Sequence, residues 1–328
     1  MNLPLVDQFG RTVRDLRISV TDRCNFRCLY CMPEEGLAWL SRAEVLTFEE
    51  IVRVAGVGVD RFGFNSIRLT GGEPTVRADL PRLIHQLAAL GTDLALTTNG
   101  ATLRLVAADL KAAGLRRINV SLDSLQRERF AAMARRDALH QVLDGIAAAV
   151  EVGLDPVKVN CVLMRGRNDD EILDLAAFGR AQGVVMRFIE FMPLDADGAW
   201  LAGDVVSAAE IVAAISAVWP LEAAGERGSQ PAERYRYVDG GGEIGVVASV
   251  TRSFCGGCDR VRLTAEGMFR NCLFAADETD LRSILRQGGT DDDLARAMAA
   301  DVATKGAGHG IGRVDFIQPA RTMSQIGG

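Results

Sequence analysis

Short runs of β-branched and apolar residues recur at positions 16–20, 67–70, 94–98, 118–122, 157–163 and 184–191. Between them lie stretches with helical spacing of apolar positions, at 48–62, 80–90, 103–113, 139–152 and 169–181. Such alternation builds βα units, whose strands run parallel. Six units fall short of the eight in a closed barrel. Nearly every strand carries a polar or charged residue near its C-terminal end, the rim on which barrel enzymes assemble their sites. The expected fold is therefore α/β, a partial (β/α)6 TIM-type barrel rather than an open doubly wound sheet. A further helix at 208–218 stops before Pro220, and the Gly/Ser/Glu-rich stretch 223–231 reads as a linker or loop. Strands at 235–238, 244–247 and 261–263 follow, the first two flanking a turn at 240–242. The expected division is a barrel over 1–222 and a C-terminal extension over 223–328.

Composition narrows the class. Of the 328 residues, 48% are hydrophobic and 24% charged, an ordinary globular balance with enough chain for a large core. No apolar run approaches the ~18 residues that span a bilayer, and residues 1–14 lack the apolar core of a signal peptide. A net charge of −6 argues against a surface that coats nucleic acid. Neither a membrane nor a nucleic-acid partner is expected. Seven cysteines, an odd count without a secretory signal, point to a reducing cytoplasm rather than a disulfide framework. Only Lys111, Lys158 and Lys305 are lysines, so the cations are almost all arginine.

Six of the cysteines fall into two triplets. Cys24, Cys28 and Cys31 form C-x3-C-x2-C, and Cys255, Cys258 and Cys272 form C-x2-C-x13-C. Clustered thiolates hold zinc or iron–sulfur clusters. A structural zinc site closes with four ligands, yet each triplet stops at three, and none of His85, His140 and His309 falls within either. Three thiolates on a four-iron cube leave one iron open to bind something else. Two such clusters are the preferred reading over two zinc sites. Cys161, in an apolar strand-like run, reads as a small core residue.

The first triplet follows the first strand directly, as Thr21-Asp22-Arg23-Cys24-Asn25-Phe26-Arg27-Cys28-Leu29-Tyr30-Cys31, and Gly71-Gly72-Glu73-Pro74 ends the second strand. The glycines let backbone approach a ligand closely, and Glu73 can accept a hydrogen bond from an ammonium. Together these motifs resemble the radical S-adenosylmethionine superfamily. With the second triplet, Arg260-Val261-Arg262 and the terminal Gly327-Gly328, the chain from about Arg17 onward resembles the GTP 3′,8-cyclase family of molybdenum cofactor biosynthesis. The resemblance implies two 4Fe-4S clusters, the second carried by the C-terminal extension. The open iron of the first would chelate S-adenosylmethionine, and that of the second the guanine edge of GTP. It implies that a 5′-deoxyadenosyl radical removes the hydrogen at C3′ of GTP and that the ribose radical adds to C8, giving 3′,8-cyclo-7,8-dihydro-GTP. By the same resemblance Tyr30, Gly72, Ser121 and Met192 contact S-adenosylmethionine, Thr97 contacts the substrate, and the tail ending in Gly327 and Gly328 reaches into the site. Arg260 and Arg262 are expected to bind substrate as well, and either is a candidate to assist the late reduction or proton steps. Asn99 and Asp123 sit at similar strand ends and receive no assignment.

Phosphate binding has its own physical argument. GTP brings about four negative charges, for which an acidic protein must build a local cationic pocket. Arg17, Arg68, Lys158 and Arg187 sit on strands one, two, five and six, and Arg260 and Arg262 join them from the C-terminal part. Buried unpaired they would be costly, so a ligand or core acids such as Glu190 must meet them. The expected partners are GTP, an electron donor of the flavodoxin or ferredoxin kind, and the next enzyme of molybdopterin synthesis; a monomer or homodimer is expected. Two competing readings are a peptide-modifying radical enzyme with an auxiliary cluster and a non-enzymatic metal-binding redox sensor. The first usually carries more C-terminal cysteines and leaves the cations without a role. The second gives no reason for polar strand ends.

Overall fold

The computed structural model describes residues 3–194, 198, 200–311, 313, 316–319 and 321–327. Its strands are β1 (Asp15–Ser19), β2 (Ser66–Thr70), β3 (Asp93–Thr98), β4 (Arg117–Ser121), β5 (Val157–Leu163), β6 (Val185–Glu190), β7 (Leu221–Ala223), β8 (Glu233–Tyr237), β9 (Glu243–Val247), β10 (Arg260–Leu263), β11 (Met268–Arg270) and β12 (Thr279–Asp280). Its helices are α1 (Phe48–Phe62), α2 (Leu80–Ala88), α3 (Leu103–Ala112), α4 (Arg127–Ala134), α5 (Leu139–Glu151), α6 (Ile172–Gln182), α7 (Ala208–Ser216), α8 (Leu281–Arg286), α9 (Asp291–Ala303) and α10 (Met323–Ile326).

All strands join one sheet, in the order β12-β11-β10-β1-β2-β3-β4-β5-β6-β9-β8-β7. The six expected strands are parallel neighbours in chain order. The C-terminal part extends this parallel run at both ends: β10 lies along β1, and β9 along β6. Antiparallel hairpins then finish each edge. The stretch read as a linker at 223–231 is the connection of the β7–β8 hairpin, and the glycine turn at 240–242 joins β8 to β9.

Side chains on the parallel strands alternate between two faces, most regularly on β5. On β5, Val157, Val159, Cys161 and Leu163 are buried, while Lys158, Asn160 and Val162 between them are only partly so. On β1 and β2 the aliphatic face is Leu16, Ile18, Ile67 and Leu69, all with no solvent exposure, and Arg17 and Arg68 point the other way. The aliphatic faces form one core with helix residues such as Val54, Leu83, Leu110, Ile146 and Leu175. Burying each such side chain contributes about 1.5–3 kcal/mol. The opposite faces carry the strand arginines among both polar and apolar side chains and line a cavity. Period-2 patterning has thus put apolar residues against the helices and arginines around an interior space.

Candidate functional site

The cysteine loop after β1 is fixed by backbone contacts on two sides. On one side it meets the glycine turn after β2, where Gly72 N–H donates to Thr21 O at 2.8 Å and Glu73 N–H to Arg23 O at 2.8 Å. A Cβ on Gly72 would stand 2.6 Å from Asp22 O and closer still to Arg23 O, and Gly71 has φ +138° beside Thr21. Two glycines are needed here because the turn packs backbone to backbone. On the other side the loop caps α4: Arg27 N–H and Leu29 N–H donate to the Ala134 and Met133 carbonyls at 3.0 Å each. These are helix-end acceptors that would otherwise lack partners.

Glu73 differs from its sequence expectation. Its carboxylate is buried and accepts from Thr75 N–H and Oγ1, from Thr98 Oγ1 at 2.6 Å and from Asn99 N–H at 2.6 Å. It ties the glycine turn to the end of β3 rather than presenting itself to a ligand. Asn99 then reaches the cysteine loop through Asn25 Oδ1 at 2.6 Å.

One cavity of about 270 Å³ brings the predicted residues together. Its lining includes both triplets, Cys24, Cys28 and Cys31 with Cys255, Cys258 and Cys272. Tyr30, Gly72, Ser121 and Met192 line it, as do Arg17, Arg68, Thr97, Arg187, Arg260 and Arg262. Lys158 does not; it shares the inner face of β5 with Asn160 but sits one pleat nearer the strand's N-terminal end. Gly327 lies at the margin instead, with φ +83°, packed on Ser19 and Thr70, its carbonyl accepting from Arg262 Nε at 3.4 Å. Gly328 lies outside the described residues. Within α10, Met323 lines the cavity and Ser324 bonds to the Cys31 thiol. The tail thus touches the first cysteine triplet and an arginine beside the second.

The cavity arginines are short of partners, although Arg260 Nη2 donates to Ser229 O at 2.9 Å and Arg262 Nε to Gly327 O at 3.4 Å. The Nε atoms of Arg17, Arg68, Arg187 and Arg260 are buried without a hydrogen-bond partner. The nearest carboxylate to Arg17 is Asp15 at 4.0 Å, and to Arg260 it is Asp259 at 3.9 Å. Glu190 does not neutralise them: its carboxylate accepts from the backbone of Ala208, Val250 and Thr251 at 2.7–2.8 Å and from Thr251 Oγ1. Burial and then mutual repulsion weaken the cations. Burial, with Arg17 and Arg187 nearby, holds Arg68 well below its usual value. Burial with Arg17, Arg117 and Arg260 brings Arg187 to about 10, and burial with Arg187, Arg117 and Arg68 brings Lys158 to about 8. A polyanion entering the cavity would relieve both effects.

The two thiol groups stand in opposite fields. Burial pushes Cys24 up to about 11 and Cys31 to about 12, with neighbouring thiols and acids adding to it. Burial also raises Cys255, but hydrogen bonds from His309 and Ser253 outweigh it and hold the thiol at about 6. Burial opposes Cys258 too, yet Arg260 and Lys305 bring it below its usual value. Among the described residues no three His, Cys, Asp or Glu side chains converge to hold a single metal ion. Three thiolates in a group suit three corners of an iron–sulfur cube and leave the fourth open.

The sequence reading passed over several lining residues. Asn99 and Asp123 showed a signal, their strand-end position. Asp123 accepts from Tyr30 O–H at 2.7 Å and from Val162 N–H at 2.9 Å, and burial raises it to about 6. Asn160 was hidden in an apolar run. His309 lies far along the chain from Cys255, so spacing could not pair them. Cys161 is a core residue as expected, fully buried.

Residues 18–179 match the Radical SAM superfamily, and residues 184–311 match Molybdenum Cofactor Synthesis C. The GTP 3′,8-cyclase of Streptomyces coelicolor is 51% identical over 329 residues, covering 99% of this chain and 96% of that protein. The GTP 3′,8-cyclase of Rhodopirellula baltica is 49% identical over 332 residues, with 99% and 92% covered. Among solved structures, Streptococcus suis SuiB bound to S-adenosylmethionine gives a TM-score of 0.57 at 12% identity, over 85% of this chain and 67% of that one. Methylornithine synthase gives 0.51 at 18% identity, over 63% and 62%. At such identities these structures speak only to the fold, which is the mixed α/β radical S-adenosylmethionine fold with a central parallel sheet. Identity near one half over almost the full length goes further: the chain belongs to the GTP 3′,8-cyclase family of radical S-adenosylmethionine enzymes.

Proposed function

We propose that this protein converts GTP to 3′,8-cyclo-7,8-dihydro-GTP, the first step of molybdenum cofactor biosynthesis. The observation that carries the reading is one cavity lined by both three-cysteine groups and by arginines whose Nε atoms lack a hydrogen-bond partner. Cys24, Cys28 and Cys31 would hold one 4Fe-4S cluster, and Cys255, Cys258 and Cys272 a second, on the C-terminal extension of a partial barrel divided near residue 222. The first cluster, when bound, supplies the electron that cleaves S-adenosylmethionine to methionine and a 5′-deoxyadenosyl radical.

The chain's own residues do the positioning. Tyr30, Gly72, Ser121 and Met192 hold S-adenosylmethionine against the first triplet, with Tyr30 locked by its bond to Asp123. Arg17, Arg68, Arg187, Arg260 and Arg262 grip the triphosphate by bidentate hydrogen bonds, with Lys158 as a deeper point charge and Thr97 at the side. Fixing both molecules in one enclosed space replaces a chance encounter by an oriented one and keeps water from the radical. The tail, through Gly327, completes that enclosure beside Arg262. A reducing cytoplasm and a flavodoxin- or ferredoxin-like donor suit this chemistry; delivery of product to the next pathway enzyme and a monomeric or homodimeric state complete the reading.

The peptide-modifying alternative is outweighed by identity near one half to GTP 3′,8-cyclases over almost the full chain. The test uses two variants, with all three cysteines of one triplet changed to alanine in each. Loss of the second triplet should leave about four irons per chain, preserve S-adenosylmethionine binding and abolish GTP binding. Undiminished GTP binding in that variant would overturn the reading.

A further inference from the structure

Five buried side-chain atoms lining the cavity lack a hydrogen-bond partner among the described residues: Nε of Arg17, Arg68, Arg187 and Arg260, and Asn160 Oδ1. The four arginine atoms are donors. Asn160 Oδ1 is therefore the lone acceptor of the set. A triphosphate carries only acceptors at neutral pH, so it satisfies the arginines and leaves Asn160 wanting a donor.

Asn160 has Ser121 of β4 on one side in register and Arg187 of β6 on the other. Asn160 and Arg187 are neighbours across the β5–β6 register, and neither Asn160 Oδ1 nor Arg187 Nε has a hydrogen-bond partner. A donor and an acceptor left open in this way suit a ligand that presents an acceptor and a donor in succession. In a nucleoside triphosphate the phosphate chain is joined to the ribose, whose hydroxyls are the nearest donors to it. We infer that Asn160 accepts a hydrogen bond from a ribose hydroxyl of the nucleotide and makes the site selective for ribonucleotides. This rests on the GTP reading above and adds a specificity-determining residue to it.

The experiment measures affinity of the anaerobic, cluster-loaded enzyme for GTP, 2′-deoxy-GTP and 3′-deoxy-GTP by titration calorimetry. Wild type should bind GTP about tenfold more tightly than at least one deoxy analogue. In Asn160→Ala that preference should vanish, with GTP weakened to the level of the analogue and the analogue unchanged. Asn160→Asp keeps an acceptor, so its ratio should stay near that of wild type even if repositioned arginines weaken all three ligands. A preference that survives in Asn160→Ala, or an equal loss for all three nucleotides, would overturn the inference. A change in S-adenosylmethionine affinity with the GTP preference intact would also overturn it. Failure of wild type to bind any of the three would instead refute the GTP reading itself.

Discussion

Replacing Arg68 by methionine separates a ligand-binding cation from a structural one, because the two roles predict opposite signs for stability. Arg68 lies opposite Arg17 in the β1–β2 register, and the two share one carboxylate, Asp15. Guanidinium groups ~8 Å apart repel by about 2 kcal/mol at an effective dielectric of ~20. Arg187 adds a like-charge term, and attraction to Asp15 offsets about one of the two. Methionine has similar length and no charge, so the free protein should gain about 1–2 kcal/mol. With ~2.1 cal/mol/K of unfolding entropy per residue, that raises Tm by about 2 °C. Binding should move the other way. Losing a charge-assisted hydrogen bond to phosphate costs about 1.5–3 kcal/mol, or roughly 10- to 150-fold in Kd. GTP at 100 times the wild-type Kd stabilises wild type by about 2.7 kcal/mol, or ~4 °C, but a 100-fold weakened variant by only ~0.4 kcal/mol. The assay is anaerobic thermal unfolding of cluster-loaded protein with and without GTP. Arg68→Met should melt above wild type without nucleotide and below it with nucleotide. A variant that melts several degrees lower without GTP, or keeps the full GTP shift, would refute the reasoning.

Gly72→Ala drives a Cβ to 2.6 Å from Asp22 O, so the cysteine loop must move by about 1 Å. Displacement on that scale should lower S-adenosylmethionine cleavage by ~100-fold, while GTP affinity stays near wild type; normal cleavage would show the contact to be dispensable. Lys158 stands at about 8 in the free protein, and a bound polyphosphate should raise it. The complex then holds more protons than its parts, so affinity falls as pH rises through 8. About half a proton should be taken up at pH 8, where the free triphosphate is already fully ionised, read by calorimetry in buffers of different ionisation enthalpy; zero uptake at pH 8 would exclude Lys158 from the phosphate field. Gly327→Ala places a Cβ 2.8 Å from Thr70 Cγ2 on a left-handed backbone, so the tail should leave its seat. Product formed per 5′-deoxyadenosine should then drop at least tenfold with little change in Tm, and full coupling would count against a role for the tail.

Much of this architecture was legible because side chains on the parallel strands alternate between two faces. Leu16-Arg17-Ile18 and Ile67-Arg68-Leu69 can bury aliphatic side chains on one face only if the arginines occupy the other. The six strands and the helices between them follow from that pattern. Shorter and more polar elements escaped: α4 turns only Phe130, Met133 and Ala134 into the core, α8 has six residues, and β12 has two. α9 carried a readable signal, a Thr290–Asp293 capping box ahead of Leu294, Met298 and Val302. Pairing of β10 with β1 joins Asp15 to Arg260, a distance along the chain that no local pattern encodes. At the site, residue chemistry was readable and partnership was not. Nothing in the sequence separated Glu190, spent on backbone amides, from a counter-ion to the arginines, and Glu73 turned inward for the same reason. Lys158 shared a strand face with the cavity but not its depth.

The central claim is that two three-cysteine groups face one cavity and act on one nucleotide. Its most direct test is an anaerobic assay of reconstituted protein with S-adenosylmethionine, GTP and a strong reductant, with iron counted in the same sample. The account predicts about eight irons per chain and 5′-deoxyadenosine formed only with GTP, matched by 3′,8-cyclo-7,8-dihydro-GTP. About four irons, or S-adenosylmethionine cleavage indifferent to GTP and without cyclised product, would contradict it.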